Sequence, residues 1–301
     1  MTETIMRFLV LGGSGQLGTQ LQKITLPRDV ALIAPTRAAV DVCNLASIRH
    51  IVAAEAWSAV IYTAGYTDVD RAESDEELAF AINAEAAACL AAETGNRGIP
   101  LIYISTDYVF DGRKGAPYME KDFAAPVNVY GRSKLAGEVR VATANPRHVI
   151  LRTAWLYSPH GANFVRTILR LAHVRERLAV VSDQIGSPTS ARDLAQACVD
   201  LALALAAEPD RTDYGLYHFA GAGAATRFEL AKAIIEQAAR ELRRIPRVEP
   251  ISTAQYPSPT MRPADSRLDC TAIQRTFGLT PRPWRDALME TVDCLLASRD
   301  V

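Results

Sequence analysis

Tyr130 and Lys134 stand four residues apart in a stretch, YGRSKLAGEVRVA, that reads as helix, and this spacing sends both side chains from one face, one turn apart. The pair has a chemical use. A free phenol keeps its proton until about pH 10, and a neighbouring ammonium favours the phenolate, so Lys134 is expected to tune Tyr130 as a proton donor. Thr106 ends the apolar run IPLIYIST and offers a hydroxyl to the same acceptor. Three groups would then converge on one carbonyl oxygen. Taken alone, a tyrosine and a lysine at this spacing are usually a surface pair. Weight comes from their place downstream of a nucleotide-binding signature and of a strand ending in Ser-Thr-Asp.

That signature is RFLVLGGSGQLG, an apolar strand that breaks into Gly12, Gly15 and Gly18 before the helical TQLQKI. Strand, glycine turn and helix in this order let backbone approach a pyrophosphate at a helix N-terminus. The next strand, VALIAP, leads to Thr36 and Arg37, where an NAD-binding chain usually carries an acid for the ribose hydroxyls. Arg37 instead offers a fork of donors to a 2′-phosphate, which predicts NADPH, with NADH as the alternative. Asp41 follows, placed either to face the adenine or to cap a helix beginning near Leu45. A helix over residues 48–57 precedes a third strand that ends in Ala64, Gly65, Tyr66 and Thr67, where Gly65 permits close approach to the cofactor. A long alanine-rich helix then carries Asn83, which needs partners if buried. IPLIYIST is the fourth strand, DGRKGAPYMEKDFAAPVN a loop long enough to cover a site, and HVILRTAWLY (His148 to Tyr157) the fifth strand. Strands alternating with helices predict an α/β fold with a doubly wound parallel sheet. Beyond it, a strand, turn and helix capped near Ser190 and a second strand-to-helix unit (YGLYHF to AAREL) suggest a smaller lobe. The last 50 residues are expected to be irregular, with Trp284 in a packing role.

The chain has 301 residues, enough for one large domain and one smaller one: residues 1–157 for the dinucleotide, 158–301 mainly for substrate, with later segments interlacing back. Its 33 basic and 34 acidic residues argue against nucleic acid or an anionic membrane as partner. Five dispersed cysteines and five dispersed histidines show no metal-ligand spacing, so no metal site is expected, and a reduced cytoplasmic compartment fits. Met1 to Met6 lack a basic leader segment, and the apolar run around Ala197 to Ala207 is too short to span a bilayer.

GGSGQLG, STDYVFDG, YGRSKLAGE, RTAWLY, SDQIGSPT and RPADSRLD, in this order, resemble the dTDP-4-dehydrorhamnose reductase family, extended short-chain dehydrogenase/reductases, nearly end to end. The resemblance implies a Rossmann-like domain with a C-terminal substrate lobe, an NAD(P)H cofactor and a dTDP-linked keto-deoxysugar substrate. It places the catalytic trio on Thr106, Tyr130 and Lys134. Gly15, Gln16 and Leu17 match the family's phosphate turn, Asp41 and Val42 its adenine contacts, and Gly65, Tyr66 and Thr67 its middle cofactor contacts. Thr106, Asp107 and Trp155 match sugar-binding positions, with Arg262 a diphosphate ligand. Some relatives dimerise through magnesium held partly by an acid in the first helix. Gln20 stands in that neighbourhood here, which favours a monomer or weak homodimer. The rival readings are a reductase or epimerase of another nucleotide-linked keto-deoxysugar, and a non-catalytic nucleotide-binding subunit resembling the regulatory subunit of methionine adenosyltransferase.

Overall fold

A computed structural model describes residues 5–298; residues 1–4, part of the stretch lacking a basic leader, lie outside the described residues. The first half builds β1 (Met6–Leu11), β2 (Val30–Ile33), β3 (Ala59–Tyr62), β4 (Leu101–Thr106) and β5 (His148–Thr153). Short strands follow: β6 (Leu156–Tyr157), β7 (Arg177–Val181), β8 (Ile185–Gly186) and β9 (Thr189–Ser190), then β10 (Gly215–His218), β11 (Ala225–Thr226) and β12 (Arg247–Ile251). Six of these form one parallel sheet in the order β10-β5-β4-β3-β1-β2, so a strand from beyond residue 158 closes the edge beside β5. The others pair as β8 with β11, β7 with β12 and β6 with β9.

Both faces of the sheet are covered, which is why its strands are apolar throughout rather than alternating with polar residues. Phe8, Val10, Ile61 and Ile102 face α1 (Gln16–Leu21) and the long α8 (Ala191–Ala207). In α8, Leu194, Cys198, Leu201 and Leu205 recur at helical spacing and are buried against that face. On the opposite face Leu9, Leu11, Val60 and Tyr103 meet α2 (Leu45–Ala54), α5 (Ala86–Gly95) and α6 (Val129–Ala144). A second core, around Val165, Leu230, Ile234 and Val292, joins α7 (Phe164–Val174), α9 (Arg227–Ala238) and α11 (Trp284–Ser298). Trp284 packs in this core, with its indole N–H donating to the Ala224 carbonyl at 3.2 Å.

Four elements differ from expectation. The helix read over 48–57 runs from Leu45, because the Asn44 side chain accepts from Ala46 N–H, and it ends before the buried Trp57. The long helix around Asn83 follows a separate short α3 (Val69–Ala72), and consists of α4 (Glu76–Phe80), a π-helical turn over Ala81–Glu85, and α5. Two stacked buried tyrosines account for the π-turn: Tyr62 donates to the Ile82 carbonyl at 2.8 Å and Tyr103 to the Asn83 carbonyl at 2.7 Å, drawing both from the α-helical ladder. The fifth strand stops at Thr153, since Trp155 takes a left-handed backbone (φ 46°) and turns the chain out of the sheet. The last 50 residues are not irregular throughout: they contain α10 (Thr271–Phe277) and α11, whose Leu288, Val292 and Leu295 form a buried stripe hidden in the sequence by the proline-rich segment before it.

α6 lies close on the π-turn because residue 137 is glycine: a Cβ there would meet the Asn83 carbonyl oxygen at 2.1 Å and the Tyr103 hydroxyl at 2.3 Å. Gly137→Ala is expected to lower unfolding free energy by about 1–3 kcal/mol, the usual cost of overpacking, as read by urea denaturation.

Candidate active site

Tyr130 sits in the first turn of α6, whose start is fixed by the Asn128 side chain accepting from the Gly131 N–H at 2.8 Å. Asn128 also donates to the Met261 carbonyl at 2.9 Å, which ties this helix start to the C-terminal segment. The Tyr130 side chain faces the same cavity as Thr106, the last residue of β4. Tyr108 meets the Tyr130 ring edge-on, with centroids 5.7 Å apart. Loss of water raises the phenol well above its ordinary range; the nearby Thr106 hydroxyl works the other way.

Lys134 is 4% exposed, and its ammonium donates to the Ile104 carbonyl at 2.5 Å while lying 4.1 Å from the centroid of the Tyr103 ring. Burial pulls its pKa down to about 7, opposed by the charge of Glu138. Lys134 was expected to lower the Tyr130 pKa directly. The two share a helix face, but the ammonium answers its own desolvation by turning to a backbone carbonyl, and burial dominates the phenol.

These groups line one end of a cavity of about 510 Å³. Its other end is the glycine turn. Gly12 has φ +102°, and a side chain there would meet the Ala64 amide nitrogen at 2.3 Å, so the turn packs directly on the end of β3. α1 starts at Gly15 with no side-chain cap, which leaves its first N–H groups available to an anion. Gly12, Gly15, Gln16 and Leu17 line this end, Arg37 and Val42 the adjoining rim, and Ala64, Gly65 and Thr67 the middle. Thr106, Asp107 and Trp155 complete the far wall.

Four expected residues lie outside the lining. Gly18 is beneath the turn, where a side chain would meet the Gly12 carbonyl oxygen at 2.3 Å. Asp41 accepts from Cys43 N–H at 3.0 Å and stands 4.0 Å from Arg37. Tyr66 gives its hydroxyl to Asp75 at 2.6 Å. Arg262 is paired through one guanidinium nitrogen with both Asp70 oxygens, at 3.0 and 2.9 Å. Asn83, for which the sequence named no partner, has three: it accepts from Tyr66 N–H and donates to the Tyr66 carbonyl and the Ser133 hydroxyl. It thereby ties the turn after β3 to the helix of Tyr130.

Asp107 is 2% exposed and its Oδ2 has no partner among the described residues; burial pushes the carboxyl up to about 6, against the nearby Ser266 and Thr106 hydroxyls and the Arg227 charge. Trp155 is held between two neighbours. A Cβ on Gly186 would strike its indole at 2.3 Å, and the Arg227 guanidinium lies 3.5 Å from its ring centroid. Arg227, Tyr108 and Asn163 also line the cavity and were missed by the sequence reading. The T-x-x-E box of Thr226 and Glu229 marks a helix start that would have placed Arg227 in a first turn, but nothing local pairs it with Trp155. Asn163 donates to the Gln16 side chain at 3.0 Å, joining the second lobe to the glycine turn.

A parallel sheet with a glycine turn after its first strand, and Thr106, Tyr130 and Lys134 gathered at the carboxyl end of its fourth, defines an extended short-chain dehydrogenase/reductase fold. The chain matches the RmlD substrate binding domain family over residues 6–297. It is 40% identical to the dTDP-4-dehydrorhamnose reductase of Sinorhizobium fredii (97% of this chain, 98% of that one) and 37% identical to that of Escherichia coli K12 (93% and 95%). Among solved structures, the Bacillus anthracis dTDP-4-dehydrorhamnose reductase in complex with NADP superposes with a TM-score of 0.88 at 35% identity, covering 95% of this chain and 98% of that one. The chain belongs to the dTDP-4-dehydrorhamnose reductase family.

Asn83→Ala strips three hydrogen bonds from buried partners and is expected to cost about 1–3 kcal/mol in stability. Because it frees the Tyr66 backbone, dinucleotide affinity measured by calorimetry should fall as well.

Proposed function

We propose that this protein reduces the 4-keto group of dTDP-4-dehydro-β-L-rhamnose to a hydroxyl, giving dTDP-L-rhamnose, with NADPH as reductant. The observation that carries this reading is the convergence of Thr106, Tyr130 and Lys134 at one end of a cavity whose other end is a glycine cradle. Full-length similarity to named reductases supports the substrate class, a dTDP-linked keto-sugar. The cradle fits a dinucleotide: Gly12 and Gly15 bring bare backbone to the surface, and the uncapped start of α1 faces the same space.

Bound NADPH supplies the hydride. Tyr130 gives the proton to the oxygen that becomes a hydroxyl, and Thr106, on the same end of the cavity, steadies that oxygen. Lys134 places a positive charge near the phenolate left behind and serves the nicotinamide ribose. The unpaired Asp107 oxygen accepts from a sugar hydroxyl, and Trp155 forms the wall on which the sugar rests. Arg227 lines the cavity beside Trp155, and its positive charge suits the diphosphate. Arg37 is largely exposed and only loosely paired with Asp41, so its fork is free for the 2′-phosphate. Among the described residues no helix is long and apolar enough to cross a membrane.

NADPH oxidation in the presence of enzymatically made dTDP-4-dehydrorhamnose tests the reading, and a protein that binds NADPH but leaves this ketone unreduced would overturn it. Tyr130→Phe is expected to lower kcat by about 10² to 10⁴ while dinucleotide binding, followed by fluorescence titration, persists. Arg37→Ala should reduce the preference for NADPH over NADH by about tenfold, equivalent to about 1.4 kcal/mol, when kcat/KM is compared for the two cofactors.

A further inference from the structure

Tyr130 and Lys134 continue, one turn further along the same face of α6, into Glu138, a carboxylate 4% exposed. Arg152 donates to it from Nε at 2.8 Å and from Nη2 at 2.6 Å, and the Ser105 hydroxyl donates at 2.5 Å. Ser105 and Arg152 are cross-strand partners on β4 and β5, in the row immediately before Thr106 and Thr153. The carboxylate is thus anchored to the two strands that present the site.

A buried ion pair contributes little stability over apolar side chains of the same shape, because desolvation offsets the attraction. Packing alone therefore does not call for charges here. The arrangement also avoids the simplest alternative. Residues 134 and 138 are helix neighbours one turn apart, within reach of direct pairing. Instead, the bidentate Arg152 fork holds the carboxylate on the strand side, while the Lys134 ammonium stays on the Ile104 carbonyl at the cavity wall. Around Lys134 and Tyr130 stand Glu138 on α6, Tyr103 on β4, and Asp107 and Tyr108 after β4, with Arg152 on β5 behind Glu138. Of these, Glu138 is the charge that opposes the effect of burial on Lys134.

We propose that Glu138 is a positioning residue for proton transfer: held by Arg152 and Ser105, it is the fixed negative charge that keeps Lys134 an ammonium within the buried wall of the site. This rests on the reading of Tyr130 and Lys134 as the reduction machinery, but its core, a carboxylate acting on a neighbouring amine, is measurable without turnover.

The chain has five lysines, so NMR of enzyme carrying isotope-labelled lysine can follow Lys134 through a pH titration, with Lys134→Met supplying the assignment. Glu138→Gln keeps the shape and removes the charge. The Lys134 midpoint should then fall by about 1–2 pH units, and the alkaline limb of the kcat profile should move down with it. Glu138→Asp, which restores the charge, should recover most of that shift. Glu138→Gln also leaves Arg152 buried without its counter-ion, so Glu138→Gln/Arg152→Met is the paired control. A role in packing alone predicts that this double variant regains the wild-type Lys134 midpoint, and that result overturns the proposal. The proposal predicts that the lowered midpoint remains in the folded double variant. A lowered midpoint in an enzyme that reduces no dTDP-keto-sugar would sustain the electrostatic role of Glu138 and overturn the assigned reaction instead.

Discussion

An amine buried in a protein wall loses its proton unless something nearby repays the lost hydration, and the catalytic end of this molecule is built around that difficulty at Lys134. The Ile104 carbonyl and the face of Tyr103 receive the ammonium directly. Tyr103 is in turn fixed by its hydroxyl on the Asn83 carbonyl, which is exposed for that purpose by the π-turn. The Asn83 side chain then grips both the Tyr66 backbone and Ser133. A cation–π contact from the amine to Tyr103, and the hydrogen bonds that start at the Tyr103 hydroxyl, thus run to the turn after β3 and back to the helix that carries Tyr130. Buried hydroxyls without partners are expensive, and the Ile82 and Asn83 carbonyls at the π-turn give Tyr62 and Tyr103 theirs.

The second half of the chain completes the site rather than merely covering it. Trp155, Asn163 and Arg227 all follow β5, and each lines the cavity that begins at the first glycine turn. Their placement depends on the chain returning to the sheet. α8 fills the face beneath β1 and β3, and β10 closes the edge beside β5. With those two elements anchored in the main core, the segment from β5 to α8, which carries Trp155 and Asn163, and the segment after β10, which carries Arg227, each have a fixed end from which to reach the cavity. The left-handed backbone at Trp155 is the point of departure. Such a conformation is unfavourable for a tryptophan and persists where surrounding packing imposes it, here Gly186 on one side and Arg227 on the other.

The parts of this site legible in the sequence are those fixed by local rules. Four-residue spacing put Tyr130 and Lys134 on one face, and an apolar run ending in Ser-Thr-Asp put Thr106 at a strand terminus. Glycines between a strand and a helix gave the cradle. What escaped depends on contacts between distant segments. The π-turn at Asn83 is dictated by tyrosines on β3 and β4, and the alanine-rich stretch around it has no intrinsic reason to depart from an α-helix. HVILRTAWLY has uniform strand character, so the break after Thr153 appears only once Trp155 meets its neighbours. α11 was obscured because prolines in the preceding segment dominated the reading, although its buried residues recur at helical spacing. The expected influence of Lys134 on Tyr130 was a correct inference about faces and an incomplete one about solvation. Sharing a helix face fixes where side chains start, whereas desolvation decides where a charged tip ends.

The two ends of the cavity consequently differ in how firmly their specificity is held. At the catalytic end, Thr106, Asp107 and Lys134 are nearly inaccessible to water and are constrained by neighbours from β4 and α6. A change of one atom there disturbs several partners in a medium where electrostatic interactions are strong. At the other rim, Arg37 and Asp41 are solvent-exposed and 4.0 Å apart, a pairing worth at most about 1 kcal/mol. Side chains at that rim can therefore be exchanged with little effect on the fold, while Thr106, Asp107 and Lys134 are groups that the fold itself immobilises. A chain so divided can vary one end of its cavity without rebuilding the other.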